Sequence, residues 1–136
     1  MWATAHAACG AALSTRIRNP WALAGAAVAS HVVLDWIPHW DYPAFWLYGA
    51  SDLAGAILVV ALLFRPDRMA WWGAFWAAVP DLEVVLAVFG LATPCFPSHR
   101  QWFPHGSAPM LPGIVIQISV IVFFVVFARR APKKGW

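Results

Sequence analysis

A bundle of apolar helices crossing a membrane is the all-α fold this sequence predicts, and three observations predict it. Hydrophobic residues make up 62% of the 136 residues and charged ones only 11%, against roughly 25% charged in soluble domains. Mean hydropathy is +0.66. The apolar residues also fall into runs of helical length separated by short polar or proline-containing connections. The length fits a single domain, residues 1–136, with no room for a second core.

The first apolar run, Trp2 to Leu13, is too short to cross a bilayer, since a span needs about 20 residues. It is expected to be a short half-depth helix, stopped by Ser14, Arg16 and Arg18. The second runs from Trp21 to Ile37, with Asn19-Pro20 as a helix start and Pro38 as its stop. Its many small residues allow close helix contact in lipid. The third, Ala44 to Phe64, carries Ser51, Asp52 and Gly55. The fourth, Met69 to Leu91, is interrupted by Pro80-Asp81-Leu82-Glu83, where the proline is expected to kink the helix and turn Asp81 towards an interior cavity. A loop from Ala92 to Met110 holds Pro94, Pro97, Pro104 and Pro109 together with His99, Arg100 and His105. The fifth run, Leu111 to Ala128, has Gln117 and Ser119 as its only polar side chains. The expectation is four transmembrane helices plus the short N-terminal one.

The basic residues orient the bundle. With alternating spans, one side receives Arg16, Arg18, Arg65, Arg68, Arg129, Arg130, Lys133 and Lys134, and the other only Arg100. By the positive-inside rule the first connection and the C-terminus are cytoplasmic, in a bacterial inner membrane. The net charge of +3 is therefore a topology signal, not a nucleic-acid footprint. Membrane lipids are the expected partners. Cys9 and Cys95 lack the spacing of a zinc ribbon and form no disulfide framework.

The same topology gathers the polar residues at the outer end. His31 and Asp35 are four apart on one helix face, and His39 and Asp41 follow Pro38 to turn back over the helix end. Imidazole and carboxylate form a ligand set suited to zinc or another divalent metal. A self-satisfied His–Asp pair at a helix interface is the alternative. A buried Asp at a helix centre costs roughly 2.5–3.5 kcal/mol in a membrane, so Asp35, Asp52, Asp81 and Glu83 need partners, and one divalent cation serves several. Asp52 is read as pairing with a neighbouring helix. Glu83 is a candidate general base, or else an interfacial acid. In the outer loop, Arg100 and His105 are candidates for binding substrate, since the guanidinium fork suits phosphate or carboxylate. The alternative for Arg100 is interfacial anchoring beside Trp102. The ten tryptophans belong mainly to aromatic belts.

The pieces ThrAlaHis6, SHVVLDWIPHWD, PDLE and HR followed by His105 resemble the small bacterial membrane-bound metal-dependent hydrolases and related membrane proteins. The resemblance implies metal ligands at His6, His31, Asp35, Asp81 and His99. It implies hydrolysis; the outer position of the polar residues and the chemistry of a metal-bound water lead to an ester or phosphoester as the expected target at the non-cytoplasmic face, where location favours a lipid or lipid-linked substrate. His39 or Asp41 would orient ligands or act as the base. The rival class is an accessory subunit of a larger membrane complex, possible also with pigments, in which isolated histidines such as His31 ligate a chlorin magnesium. An ion pathway through Asp35, Asp52 and Asp81 would need acids spread across the full depth, and they are confined to one half.

Overall fold

The computed structural model describes residues 1–41, 45–64, 67–100, 102–103 and 105–131, without the side chains of 45–47. Ala44, Arg65, Pro104, Lys133 and Lys134, used above, lie outside the described residues. Five helices follow in chain order: α1 (Ala3–Leu13), α2 (Pro20–Trp36), α3 (Phe45–Leu63), α4 (Arg68–Val88) and α5 (Met110–Arg129). No strand occurs among the described residues.

Local chemistry sets the boundaries. Asn19 Oδ1 accepts hydrogen bonds from the backbone N–H groups of Trp21 and Ala22, both at 3.0 Å, and Pro20 occupies the first turn. At the start of α4, Asp67 accepts from the Met69 N–H at 2.9 Å. The helix runs through Pro80, which is buried inside it. Gly90, with φ of +70°, follows the helix end in the left-handed conformation that favours glycine.

α1 is the axis of the molecule. Thr4 through Ala12 are all buried, and α1 packs against each of the other four helices. Its alanines and Gly10 make this possible, because small side chains let backbones approach closely. At Gly10 and Gly73 the backbones of α1 and α4 touch so closely that a Cβ on either would overlap the other's carbonyl. The N-terminal N–H groups of α1, which have no partners within the helix, are capped from α3. Asp52 accepts from the N–H of Ala3 (2.7 Å) and of Thr4 (3.0 Å), and from Thr4 Oγ1 (2.6 Å). Fully buried Gln117 of α5 accepts from the Trp2 N–H at 2.7 Å and donates to the Trp40 carbonyl at 3.0 Å. This ties the start of α1 to the end of α2.

Two helices, α4 and α5, are long and apolar enough to cross a membrane, against the four expected. Tyr48–Leu63 within α3 is apolar but shorter, and α2 has 17 residues. Only 22% of the apolar window of α4 and 11% of that of α5 are buried, so their apolar surface faces outward, unlike the core helix of a soluble protein. Arg18 and Asp67 meet at 3.0 Å, and Arg16 lies over the Phe127 ring at 5.3 Å. The basic connections and the end of α5 therefore share one end of the bundle.

Candidate metal centre

At the opposite end, four elements converge. α1 brings His6, α2 brings His31 and Asp35 on one face, α4 brings Asp81, and the loop after α4 brings His99. His6, His31 and Asp35 are completely buried. His6 stacks on His31 with ring centroids 3.8 Å apart, and its Nε2 lies 3.2 Å from Asp35 Oδ1. The Met1 α-amino nitrogen is 2.9 Å from that same oxygen.

The tautomers follow from the acceptors. His31 Nδ1 is 2.8 Å from the Ala77 carbonyl oxygen, which has no proton to give, so Nδ1–H is the donor. His99 Nδ1 is 2.8 Å from Glu83 Oε1. The Glu83 carboxylate also accepts the backbone N–H groups of Cys95 and Phe96, each at 2.8 Å, and is an acceptor for His99 as well. In the neutral rings, both Nε2 atoms therefore carry lone pairs. They face each other at 3.4 Å.

Two carboxylate oxygens complete the cluster. His31 Nε2 is 3.2 Å from Asp35 Oδ2 and 3.6 Å from Asp81 Oδ1. His99 Nε2 is 3.7 Å from Asp35 Oδ2 and 3.6 Å from Asp81 Oδ1. Zinc bonds of 2.0–2.2 Å in tetrahedral geometry keep neighbouring ligand atoms about 3.3–3.6 Å apart. The five separations span 3.2 to 3.7 Å, and among the groups whose ligand atoms all lie close together are two triads that share His31: His31, Asp35 and His99, and His6, His31 and Asp81. Among the described residues, Asp35 Oδ2, Asp81 Oδ2 and both His6 nitrogens are buried without a hydrogen-bond partner. Buried His/Asp groups here can hold a metal ion.

His39, Asp41 and His105 form a second group beside the first. His39 Nδ1 donates to the Ile37 carbonyl at 2.7 Å, and His39 Nε2 lies 3.0 Å from Asp41 Oδ1. His105 Nε2 reaches Asp41 Oδ2 at 3.1 Å. The loop is held in place by Gly106 N–H to Asp35 O and Ala108 N–H to His39 O, both 2.8 Å. Desolvation raises the Asp41 carboxyl, but the hydrogen bond from His105 and then the His39 ring beside it outweigh this and hold Asp41 below the usual carboxylate range. For His99 burial lowers the imidazole, while the Asp81 and Glu83 carboxylates beside it hold it above its ordinary value, so a metal at its Nε2 would take the place of a proton. Arg100 stacks on Trp102 at 5.1 Å, exposed and outside the cleft described below.

The structure thus brings together His6, His31, Asp35, Asp81 and His99, keeps His39, Asp41 and His105 next to them, and leaves Arg100 apart. Glu83 has its oxygens engaged by the loop it anchors, which gives it a positioning role towards His99. Sequence reasoning missed the Ala77 carbonyl, because backbone acceptors leave no trace in residue identity. It also missed Gln117 as the tie holding the site's outer wall. Comparison with models of protein families, with curated proteins and with solved structures finds no match for this chain.

A metal-ligating imidazole is usually oriented by an acceptor on its other nitrogen, and losing that acceptor costs about 10- to 100-fold in metal affinity. Glu83→Gln is expected to weaken metal binding by about that factor, because the amide places a donor among four donors, the N–H and thiol of Cys95, the N–H of Phe96 and His99 Nδ1. Titration against a competing chelator measures it; unchanged affinity would remove Glu83 from the site.

Proposed function

We propose that this chain is a bacterial inner-membrane protein that holds a divalent metal, with zinc the favoured ion, and hydrolyses an ester or phosphoester at the non-cytoplasmic face. Four spans, α2 to α5, would surround α1 as the half-depth helix, with the C-terminus cytoplasmic. The reading is supported above all by one observation: His31 Nε2, His99 Nε2 and Asp35 Oδ2 lie 3.2 to 3.7 Å from one another, the spacing of three ligands on one metal ion, with Asp81 Oδ1 3.6 Å from both nitrogens. The Met1 ammonium meets Asp35 Oδ1, but among the described residues Oδ2 of Asp35 and Oδ2 of Asp81 are buried without a hydrogen-bond partner, a lack that a divalent cation would fill. The basic connections at the far end put the site on the side that positive-inside topology assigns to the exterior.

His31, His99, Asp35 and Asp81 would hold the ion. His6, against the other oxygen of Asp35, would steady that carboxylate or add a fifth ligand. A metal so held lowers the pKa of a coordinated water towards neutrality and polarises the substrate's oxygen. Asp41, which lines the adjoining cleft with His105, is placed to accept a proton from water. In the reaction water's oxygen bonds to the acyl carbon or phosphorus, the ester C–O or P–O bond breaks, and a proton goes to the leaving alkoxide. The accessory-subunit reading calls for isolated histidines; the gathering of all five in two adjoining groups favours the hydrolase.

The test is turnover of water-soluble nitrophenyl esters and phosphodiesters by metal-loaded protein. Hydrolysis lost on chelation, restored by metal and lost in Asp81→Asn supports the proposal. Full metal loading with no turnover of either class would overturn it, as would undiminished turnover in Asp81→Asn.

A further inference from the structure

The space beside the metal centre extends much further than a hydrolytic site requires. α3 and α4 both lean on α1 and barely meet each other, which leaves a cleft of about 1110 Å³ between them. Asp41, Asp81, His99 and His105 lie towards its outer part, with Val85, Val88 and Phe89 beyond Asp81. Inward of those polar groups the walls are apolar: Leu53, Ile57 and Val60 on α3, and Trp71, Phe75 and Ala78 on α4. Each set follows the spacing of one helix face, so each wall is continuous. From Asp81 back to Trp71 the slot follows ten residues of α4, about 15 Å at 1.5 Å per residue. That is the length of an extended dodecyl chain.

The polarity of the slot matters as much as its length. Its polar end is the site's end of the bundle, and its apolar end points towards the basic connections. An outer-leaflet lipid has the same polarity, with its head group outward and its chain running to the bilayer centre. Such a molecule enters sideways between α3 and α4 without turning over. Apolar helix faces elsewhere, such as the outward side of α5, also touch lipid chains but end at no metal-ligating group.

We propose that the slot between α3 and α4 is a hydrocarbon-chain subsite, and that the substrate is a lipid whose ester or phosphoester group rests at Asp81 and His99 while one chain lies along Leu53, Ile57, Phe75 and Trp71. The bond cleaved rests on the hydrolase reading, but occupation of the slot is measured independently of it. The probe is dodecyl phosphate bearing a diazirine at the chain end, photolysed with metal-loaded protein in lipid nanodiscs and mapped by mass spectrometry. Labels are expected near Val60, Trp71 and Phe75. They should be lost in Ala78→Trp, which fills the slot, while metal content and melting temperature stay as in the wild type. Should Ala78→Trp fail to fold, competition by unlabelled dodecyl phosphate, but not by inorganic phosphate, supplies the same answer.

Labelling spread evenly over Val115 and Val122 on α5, or label in the slot that neither Ala78→Trp nor the competitor reduces, would overturn the proposal. Slot labelling without turnover of any ester would leave the subsite standing and remove the hydrolase. Turnover of soluble esters with an unlabelled slot would do the reverse.

Discussion

The double variant His31→Gln, Asp35→Asn is expected to lose its metal, falling from about one equivalent per chain to background. His31 and Asp35 supply two of the four converging atoms, and the remaining pair, His99 Nε2 and Asp81 Oδ1 at 3.6 Å, cannot close a four-ligand site. The substitutions keep close to the original volumes, and the glutamine amide can still donate towards the Ala77 carbonyl, so packing around α2 survives. Elemental analysis of gently purified protein measures the outcome. A linked measurement guards against an unfolded variant. An ion that binds only the folded state stabilises it by about 4 kcal/mol at a thousand times its Kd. Chelator should therefore lower the melting temperature of the wild type and leave that of the variant unchanged. Wild-type protein without metal would leave His31 and Asp35 as a packing pair and end the hydrolase proposal.

Gly73→Leu is expected to be the most disruptive single substitution in the bundle. A Cβ at residue 73 would meet the carbonyl of Gly10, and one at residue 10 would meet Gly73. What lies in the way is backbone, which cannot swing aside like the end of a long side chain. α1 and α4 would have to separate, at a cost of about 3 kcal/mol or more. Because α1 carries His6 and α4 carries Asp81, separation would also open the metal cluster. The expected result is protein that leaves the membrane aggregated and without metal. Gly25→Ala is the contrast: nothing lies within 4 Å of a Cβ there, and removing a mid-helix glycine is expected to stabilise by about 0.5–1 kcal/mol. Size-exclusion profiles and thermal melts in detergent compare the two. A monodisperse Gly73→Leu protein with normal melting would show that the α1–α4 contact is not essential.

Much of the architecture was legible in the sequence, because helix ends in this chain are written in local chemistry. Asn19-Pro20 opens α2, Pro38 follows its end, and Asp67 caps α4, so all five helix positions could be read to within about three residues. The HxxxD spacing alone was enough to place His31 and Asp35 on one face. The hydropathy of the chain pointed to the helical class, while among the described residues only α4 and α5 reach the length and apolarity of a span.

The tertiary structure decided what spacing cannot carry. That the shortest helix, α1, is the axis around which the others pack depends on backbone approach at Gly10 and Gly73 and on the cap that Asp52 supplies from α3. Both are long-range contacts with no local signature. Likewise His99 lies 68 residues from His31 along the chain, and only the fold sets their Nε2 atoms face to face. The orientation of each ring was fixed by acceptors that identity does not reveal: the backbone oxygen of Ala77 for His31, and Glu83, itself held by loop N–H groups, for His99. Residue types determined which metal chemistry was available to this protein. The packing of α2, α4 and the loop on α1 determined that His31, Asp35 and His99 meet, with Asp81 beside both rings.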